Sequence, residues 1–127
     1  MKIIKNILLF IFFTLLTFNA NSEITVEEII KGRKAIFSEN YKTAKRVNIF
    51  LNNLEFEDAK KYMKEMSKNY ENLLNYFPDN SKDGFGTEAL PSIWKNKKEF
   101  DSLMQKSADD MLKLALLIEE ADDVRAE

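Results

Sequence analysis

The stretch Phe77–Trp94, FPDNSKDGFGTEALPSIW, interrupts a chain whose flanking sequence is typical of helix. It holds both prolines, two of the three glycines and the only tryptophan of the 127 residues. Helix breakers this concentrated predict one long connection between helices, and long ordered connections usually carry function. The sequence therefore predicts an all-α protein with one functional loop.

Amphipathic patterns on either side of this loop predict long helices. The first begins after Thr25, where two glutamates provide an acidic first turn behind the capping threonine. The second has apolar residues spaced alternately by three and four, and Pro78 ends it. Its seam comprises Phe56, Ala59, Met63, Met66, Tyr70, Leu73 and Phe77. The short link between the two helices predicts that they are antiparallel neighbours.

The third helix is expected from about Ser92 to Glu120. Its seam comprises Phe100, Leu103, Ser107, Met111, Leu114 and Ile118. The residues from Asp122 to Glu127 are typical of the acidic first turn of a further helix. We therefore predict an antiparallel up-down bundle of the four-helix type, with three long helices present and the fourth cut short.

Residues 1–22 are typical of a secretory signal peptide. Lys2 and Lys5 flank the start of an apolar run from Ile7 to Phe18, and Ala20-Asn21-Ser22 suits cleavage before Glu23. The run is shorter than the roughly 20 residues of a membrane span. We therefore expect export, a helical domain at 23–127 and no stable membrane insertion after cleavage. An uncleaved anchor, which would tether a structural protein, is the alternative.

The composition excludes several classes of site and partner. The sequence contains no histidine and no cysteine, which rules out Cys–His nucleophiles, Ser–His–Asp triads and the usual zinc sites within it. Its formal net charge is −2, and loss of the two lysines of residues 1–22 would make it −4. An acidic chain without a basic block argues against nucleic acid as a partner.

Carboxylates and thioethers remain as candidate ligands. The acidic pairs lack the Glu-x-x-His motif of a di-iron bundle, so solvated helix faces explain them better. These pairs are Glu27–Glu28, Asp109–Asp110 and Glu119–Glu120. Core packing explains the seam methionines better than soft-metal binding does. These methionines are Met63, Met66, Met104 and Met111.

Four single residues stand out, and all of them except Phe37 have two interpretations. Arg33 lies beside the apolar stripe of the first helix, where it either extends to the bundle edge or meets an anionic ligand group. Phe37 is most simply a core residue on pattern alone. Trp94 either packs where the loop rejoins the bundle or lines a ligand pocket. Gly32 either marks a close contact against the helix backbone or reflects composition alone.

Several motifs and their spacing resemble the cytochrome c-prime family of periplasmic four-helix haem proteins. The first motif is IKGRKAIF at residues 30–37, similar to the family's first-helix pattern of Lys, aromatic, Arg and Gln, with an apolar or Met residue four after the Arg. The second is ALPSIW at residues 89–94, where the family typically has ALPEIW. Phe77-Pro78 precedes that motif, and the third helix follows it at a matching distance. The likeness covers residues 24–127.

The resemblance implies a haem pocket and assigns five residues to it. Arg33 and Lys34 correspond to positions near the haem propionates, with Lys34 in place of the commoner Gln. Glu88 matches a haem-edge position of the loop, with Thr87 as its neighbour. Phe37 matches the distal position over the iron. Because a phenyl ring cannot ligate a metal, the resemblance implies five-coordinate iron under an apolar lid.

The family attaches haem c through Cys-x-x-Cys-His near the end of its fourth helix, and this sequence contains no such motif. The resemblance therefore implies an N-terminal fragment of a periplasmic, non-enzymatic protein that transfers electrons or binds a diatomic gas. As it stands, the chain cannot hold haem covalently. The implied partners are haem, an unidentified redox protein and a second copy paired through the first two helices. The alternative is a haem-free exported module that binds a partner helix through an open apolar face.

Overall fold

The computed structural model describes residues 23–126, so the predicted signal peptide at 1–22 lies outside the described residues. Every regular element in that range is helical, which confirms the all-α prediction. The α-helices are α1 (Val26–Asn52), α2 (Phe56–Leu73), α3 (Ser92–Lys95) and α4 (Lys97–Ala126), and a 3₁₀ turn occupies Asp79–Ser81.

Helix α1 begins with the cap that the sequence predicts. The backbone N–H of Glu28 donates to Thr25 Oγ1 at 3.2 Å, and the backbone N–H of Thr25 donates to Glu28 Oε2 at 2.7 Å. This reciprocal pair is a capping box, which satisfies donors that the first helical turn leaves free. The bond from the Thr25 backbone is the main cause that lowers the pKa of Glu28.

Helices α1 and α2 form an antiparallel hairpin, as predicted. Asn69 Nδ2 donates to Asn40 Oδ1 at 2.8 Å, four residues before α2 ends. The reversal is made at Leu54, whose φ of 62° places it in the left-handed region. There the backbone N–H of Glu55 bonds to the carbonyl of Phe50 at 2.8 Å. The turn thus depends on a conformation that an L-residue adopts at a cost of about 1–2 kcal/mol.

Helix α2 ends four residues before the predicted end at Phe77. After Leu73 the chain changes to tighter i to i+3 bonds, such as that from the Tyr76 N–H to the Leu73 carbonyl at 3.0 Å. Pro78 also disfavours helical geometry at the residue before it. The proline therefore acts further upstream than the apolar seam suggests.

The prediction of a new helix at Asp122 is wrong, because α4 runs without interruption to Ala126. No glycine or proline separates Glu120 from Ala126, so nothing in this segment breaks the helix. Contacts of Arg125 also stabilise the end of α4. Its Nη2 lies 3.1 Å from Asp122 Oδ1, and its guanidinium lies 4.9 Å from the Phe56 ring centroid. The expected break falls instead at Asn96, between α3 and α4.

The core consists of two clusters along α2, which packs against both α1 and α4. The first cluster centres on Val47, Ala59, Met66 and Ile118, and the second on Leu73, Phe77 and Met104. Packing therefore explains the seam methionines, as the sequence indicates.

Two residues of the predicted α4 seam, Leu103 and Leu114, are exposed. Helix α4 turns its buried face, with Met104, Ala108 and Ala115, toward α2. Leu103 and Leu114 lie to one side of that face. Among residues 23–126, no helix has the length and apolar character needed to cross a membrane.

Candidate functional site

A cavity of about 380 Å³ lies at the end of the bundle where α1, the loop after α2 and the start of α4 meet. Its walls are formed by Arg33, Lys34, Phe37, Phe77, Thr87, Glu88, Ala89, Ile93 and Phe100. All five residues that the resemblance assigns to a pocket are among them. They come from two segments about fifty residues apart, which the bundle brings together.

Arg33 is the organising residue of the loop. Its Nη1 donates to the carbonyl of Tyr76 at 3.2 Å and to Ser81 Oγ at 3.0 Å. Its Nη2 donates to the carbonyl of Ser81 at 2.9 Å and to Thr87 Oγ1 at 2.5 Å. These four bonds use every terminal N–H of the guanidinium and leave only the Nε–H.

The burial of Arg33 excludes one of its two interpretations. Only 3% of the residue is exposed, so extension to the bundle edge is wrong. Burial lowers the pKa of Arg33 from its ordinary value, yet a guanidinium keeps its charge in proteins. None of the ion pairs among residues 23–126 includes it. The site therefore contains a buried positive charge whose bonds are all to neutral oxygens.

Aromatic rings enclose the same guanidinium. The carbon Cζ of Arg33 lies 4.9 Å from the ring centroid of Phe77 and 5.7 Å from that of Trp94. The indole N–H of Trp94 donates to the carbonyls of Phe77 and Pro78, each at 3.1 Å. Trp94 thus packs where the loop rejoins the bundle, which confirms the first of its two interpretations.

A tight turn forms the outer part of the loop. Gly84, Phe85 and Gly86 have φ values of 86°, 49° and 68°, and the N–H of Thr87 bonds to the carbonyl of Gly84 at 3.0 Å. Lys34 Nζ donates to the Gly86 carbonyl at 2.9 Å and so ties α1 to this turn. Glycine adopts such angles without strain, whereas Phe85 must be held in them.

Gly32 allows α1 to approach the end of α2. A Cβ atom at position 32 would collide with the ring of Tyr76, which lies against the helix backbone there. The close contact that the glycine suggested is therefore confirmed. Tyr76 has two roles here, since its ring covers Gly32 and its carbonyl accepts from Arg33.

Three phenylalanines form the apolar wall of the cavity together with Ala89 and Ile93. Phe37 is 42% exposed and stands at the mouth, so its interpretation as a simple core residue is wrong. Phe77 and Phe100 lie deeper, with ring centroids 4.7 Å apart in an edge-to-face arrangement. Both were predicted only as helix seam residues.

Three further residues of the site, Ser81, Ala89 and Ile93, were not assigned to it from the sequence, although Ala89 and Ile93 belong to the ALPSIW motif. Ser81 is fully buried and accepts from Arg33 through both its side chain and its carbonyl, while Ser81 Oγ donates to the Pro78 carbonyl at 2.9 Å. Ile93 lines the cavity from the turn of α3. The only sequence signal at Ser81 is the turn-forming composition of the stretch after Pro78.

Carboxylates do not gather into a metal site in the part of the chain that the structure describes. Residues 23–126 contain no group of three or more His, Cys, Asp or Glu side chains that could hold a metal ion. The acidic pairs instead contact groups of the protein itself. Glu28 caps α1, and Asp110 pairs with Lys106 at 2.5 Å, which lowers the pKa of Asp110. Glu119 on α4 pairs with Lys60 on α2 at 3.3 Å.

Comparison with known proteins identifies the family. The family model for cytochrome c′ matches residues 28–127. A cytochrome c′ from Rhodopseudomonas palustris (strain ATCC BAA-98 / CGA009) is 33% identical over 84 residues, an alignment that covers 64% of this chain and 58% of that protein. The match thus spans a little over half the length of this relative, and no solved structure matches the chain. With the matched region extending across α1, α2, the loop and α4, the chain belongs to the cytochrome c′ family.

Proposed function

We propose that this chain binds haem in the cavity at the end of the bundle. One observation carries the proposal: five residues assigned to haem contact by resemblance, at 33–37 and 87–88, line a single cavity. These residues lie about fifty positions apart in the sequence, and the fold brings them to one place. A chance coincidence of all five around one cavity is a poor explanation.

The chemistry of the cavity suits part of the haem group. Phe37, Phe77 and Phe100 offer aromatic surface to a flat ring system. Arg33 and Lys34 place two positive charges at the same cavity, which suits propionate groups. When bound, haem supplies redox and gas-binding chemistry that no side chain here provides.

The protein's own residues have distinct parts in this proposal. Arg33 contributes its charge and holds the loop in place, because its terminal N–H groups are already bonded. Lys34 donates to one exposed carbonyl and can turn its ammonium to a propionate. Phe37 covers the mouth of the cavity and excludes water from it. Covalent attachment does not fit, since the sequence has no cysteine to form a thioether.

The more specific function is inferred from membership of the family. We propose a periplasmic, non-enzymatic protein that is exported by residues 1–22 and carries electrons or a diatomic gas. The chain is then the N-terminal part of such a protein. A homodimer through α1 and α2 and a separate redox partner belong to the same proposal.

Reconstitution with haem tests the proposal. Ferric haem added to the purified chain should give a saturable shift of its Soret band, and acid-acetone should extract all of the bound haem. Phe37→Ala should weaken binding by about tenfold, because it removes one face of the pocket. The matched control is Ile49→Ala, an exposed apolar residue three turns further along α1, which should leave binding unchanged. Absence of saturable binding, or equal losses in both variants, would contradict the proposal.

Exposed apolar side chains favour one second candidate, the haem-free module that binds through an open face. On α4 they include Leu103, Leu114 and Leu117, and on α1 they include Phe37 and Tyr41. A chain that does not bind haem, yet self-associates in a way that Leu114→Glu abolishes, would support this candidate instead.

A further inference from the structure

We infer that the cavity recognises a porphyrin by its ring and its carboxylates and not by its iron, so that metal-free protoporphyrin binds as tightly as haem does. The inference rests on the proposed function and deepens it. It concerns what this chain's own residues can offer to the ligand.

The side chains that usually ligate haem iron do not line the cavity. Those are His, Cys, Met and Tyr. The sequence has no His and no Cys, and the lining of the cavity includes neither Met nor Tyr. Met104 is buried in the cluster with Leu73 and Phe77, and the ring of Tyr76 lies against Gly32. The ring of a bound porphyrin therefore meets Phe37, Phe77 and Phe100, which bind it whether or not it holds a metal.

The polar groups that do line the cavity are engaged elsewhere or stand at its rim. Thr87 Oγ1 accepts from Arg33 and from the N–H of Ala89, the latter at 3.2 Å. Lys34 Nζ donates to the Gly86 carbonyl. Glu88 is exposed. Lys34 is the strongest rival as an iron ligand, because an amine can ligate a metal when it loses its proton.

The cavity presents positive charge to the two carboxylates of the ligand. Arg33 is 97% buried and lacks a carboxylate partner within residues 23–126, and Lys34 lies one residue further on. Charges taken out of water are normally paired, so a ligand carboxylate would complete this site. Haem and protoporphyrin carry the same two carboxylates and differ only in the metal.

Two titrations test the inference. Ferric haem and metal-free protoporphyrin are each added to the purified chain, and quenching of Trp94 fluorescence is followed. Trp94 is the only tryptophan, and its ring lies 5.7 Å from Arg33 Cζ, so a ligand bound in this cavity should quench it strongly. We expect dissociation constants that agree within about threefold. If haem binds more than about tenfold more tightly than protoporphyrin, an iron ligand exists and the inference fails while the proposed function stands. If neither ligand binds, both fail.

A lysine variant separates charge recognition from iron ligation. Lys34→Leu should weaken both ligands by the same factor, about three- to tenfold, since it removes a charge that faces the carboxylates and introduces no group that can ligate iron. Lys42→Leu, at an exposed lysine two turns along the same helix, is the matched control and should change neither. The dimethyl ester of protoporphyrin should bind wild type more weakly than the free acid and should be insensitive to Lys34→Leu. A loss confined to haem would assign Lys34 to the iron and overturn the inference.

Discussion

Replacement of Arg33 by methionine tests the central structural claim, that one buried guanidinium holds the loop to the bundle. The change removes four hydrogen bonds. The two hydroxyl acceptors keep other partners, because Ser81 Oγ still donates to Pro78 and Thr87 Oγ1 still accepts from Ala89. The carbonyls of Tyr76 and Ser81 are left without a donor, which costs about 1–3 kcal/mol each.

Removal of a buried charge offsets part of that cost, because its desolvation penalty disappears. We therefore expect Arg33→Met to lower the free energy of unfolding by about 3 kcal/mol, a large share of the roughly 5–15 kcal/mol of a small domain. Arg33→Lys should lose less, since an ammonium keeps the charge and can reach some of the acceptors. In the domain's thermal transition, the methionine variant should melt about 10–20 °C lower.

Urea unfolding followed in parallel by far-ultraviolet circular dichroism and by Trp94 fluorescence measures the loss in the helices and at the loop. Arg46→Met is the matched control, because Arg46 lies on the same helix with half of its side chain exposed. Its contacts are weak: a pair to Glu39 at 3.5 Å and a guanidinium 5.9 Å from the Tyr62 ring centroid. It should change stability by less than about 0.5 kcal/mol. A loss below about 1 kcal/mol in Arg33→Met would refute the reasoning, since even one orphaned carbonyl costs that much.

Three further changes probe other parts of the bundle. Leu54→Gly should raise stability by about 0.5–1 kcal/mol in urea unfolding, because glycine removes the strain of the positive φ, while Leu54→Ala should give no such gain. Thr43→Val should stabilise by about 1 kcal/mol, since Oγ1 of Thr43 is buried with no partner among the described residues; Thr43→Ser, which keeps the hydroxyl, should not stabilise. Glu28 stabilises the fold above its ordinary pKa, and this contribution disappears as the pH falls through the lowered pKa of the folded state. Glu28→Gln should therefore lower the free energy of unfolding at neutral pH, and the urea midpoint of the variant should fall less steeply as the pH is lowered. An unchanged pH dependence of the midpoint would contradict this.

The local sequence pattern was sufficient to predict the helices that pack along most of their length. The capping box at Thr25 and the seam of α2 depend on residues within a few positions of one another, so sequence spacing predicts them. The end of α2 at Leu73 was missed, because it depends on how a strong helix former competes with the nearby Pro78. The continuation of α4 past Asp122 was missed, because acidic residues that are typical of a first helical turn also occur inside a helix.

The site, in contrast to the helices, could not be predicted from local sequence pattern. Resemblance placed Arg33, Lys34, Phe37, Thr87 and Glu88 together, and the fold does bring them around one cavity. The role of Arg33 in the site could not be predicted from the sequence, because its hydrogen-bond acceptors lie 43 to 54 residues downstream in a loop that has no periodicity. Nor does the α4 seam show which of its apolar residues meet another helix, and so Leu103 and Leu114 were predicted as buried.

The contact between Gly32 and Tyr76 has a consequence for how relatives of this chain should vary. Neither residue lines the cavity, yet together they set how near α1 comes to the loop, and thus whether Arg33 can reach Ser81. A larger residue at position 32 requires a smaller one at position 76 if the loop is to keep its anchor. The two positions should therefore change as a pair, and a chain that changes only one of them should have a cavity of a different depth.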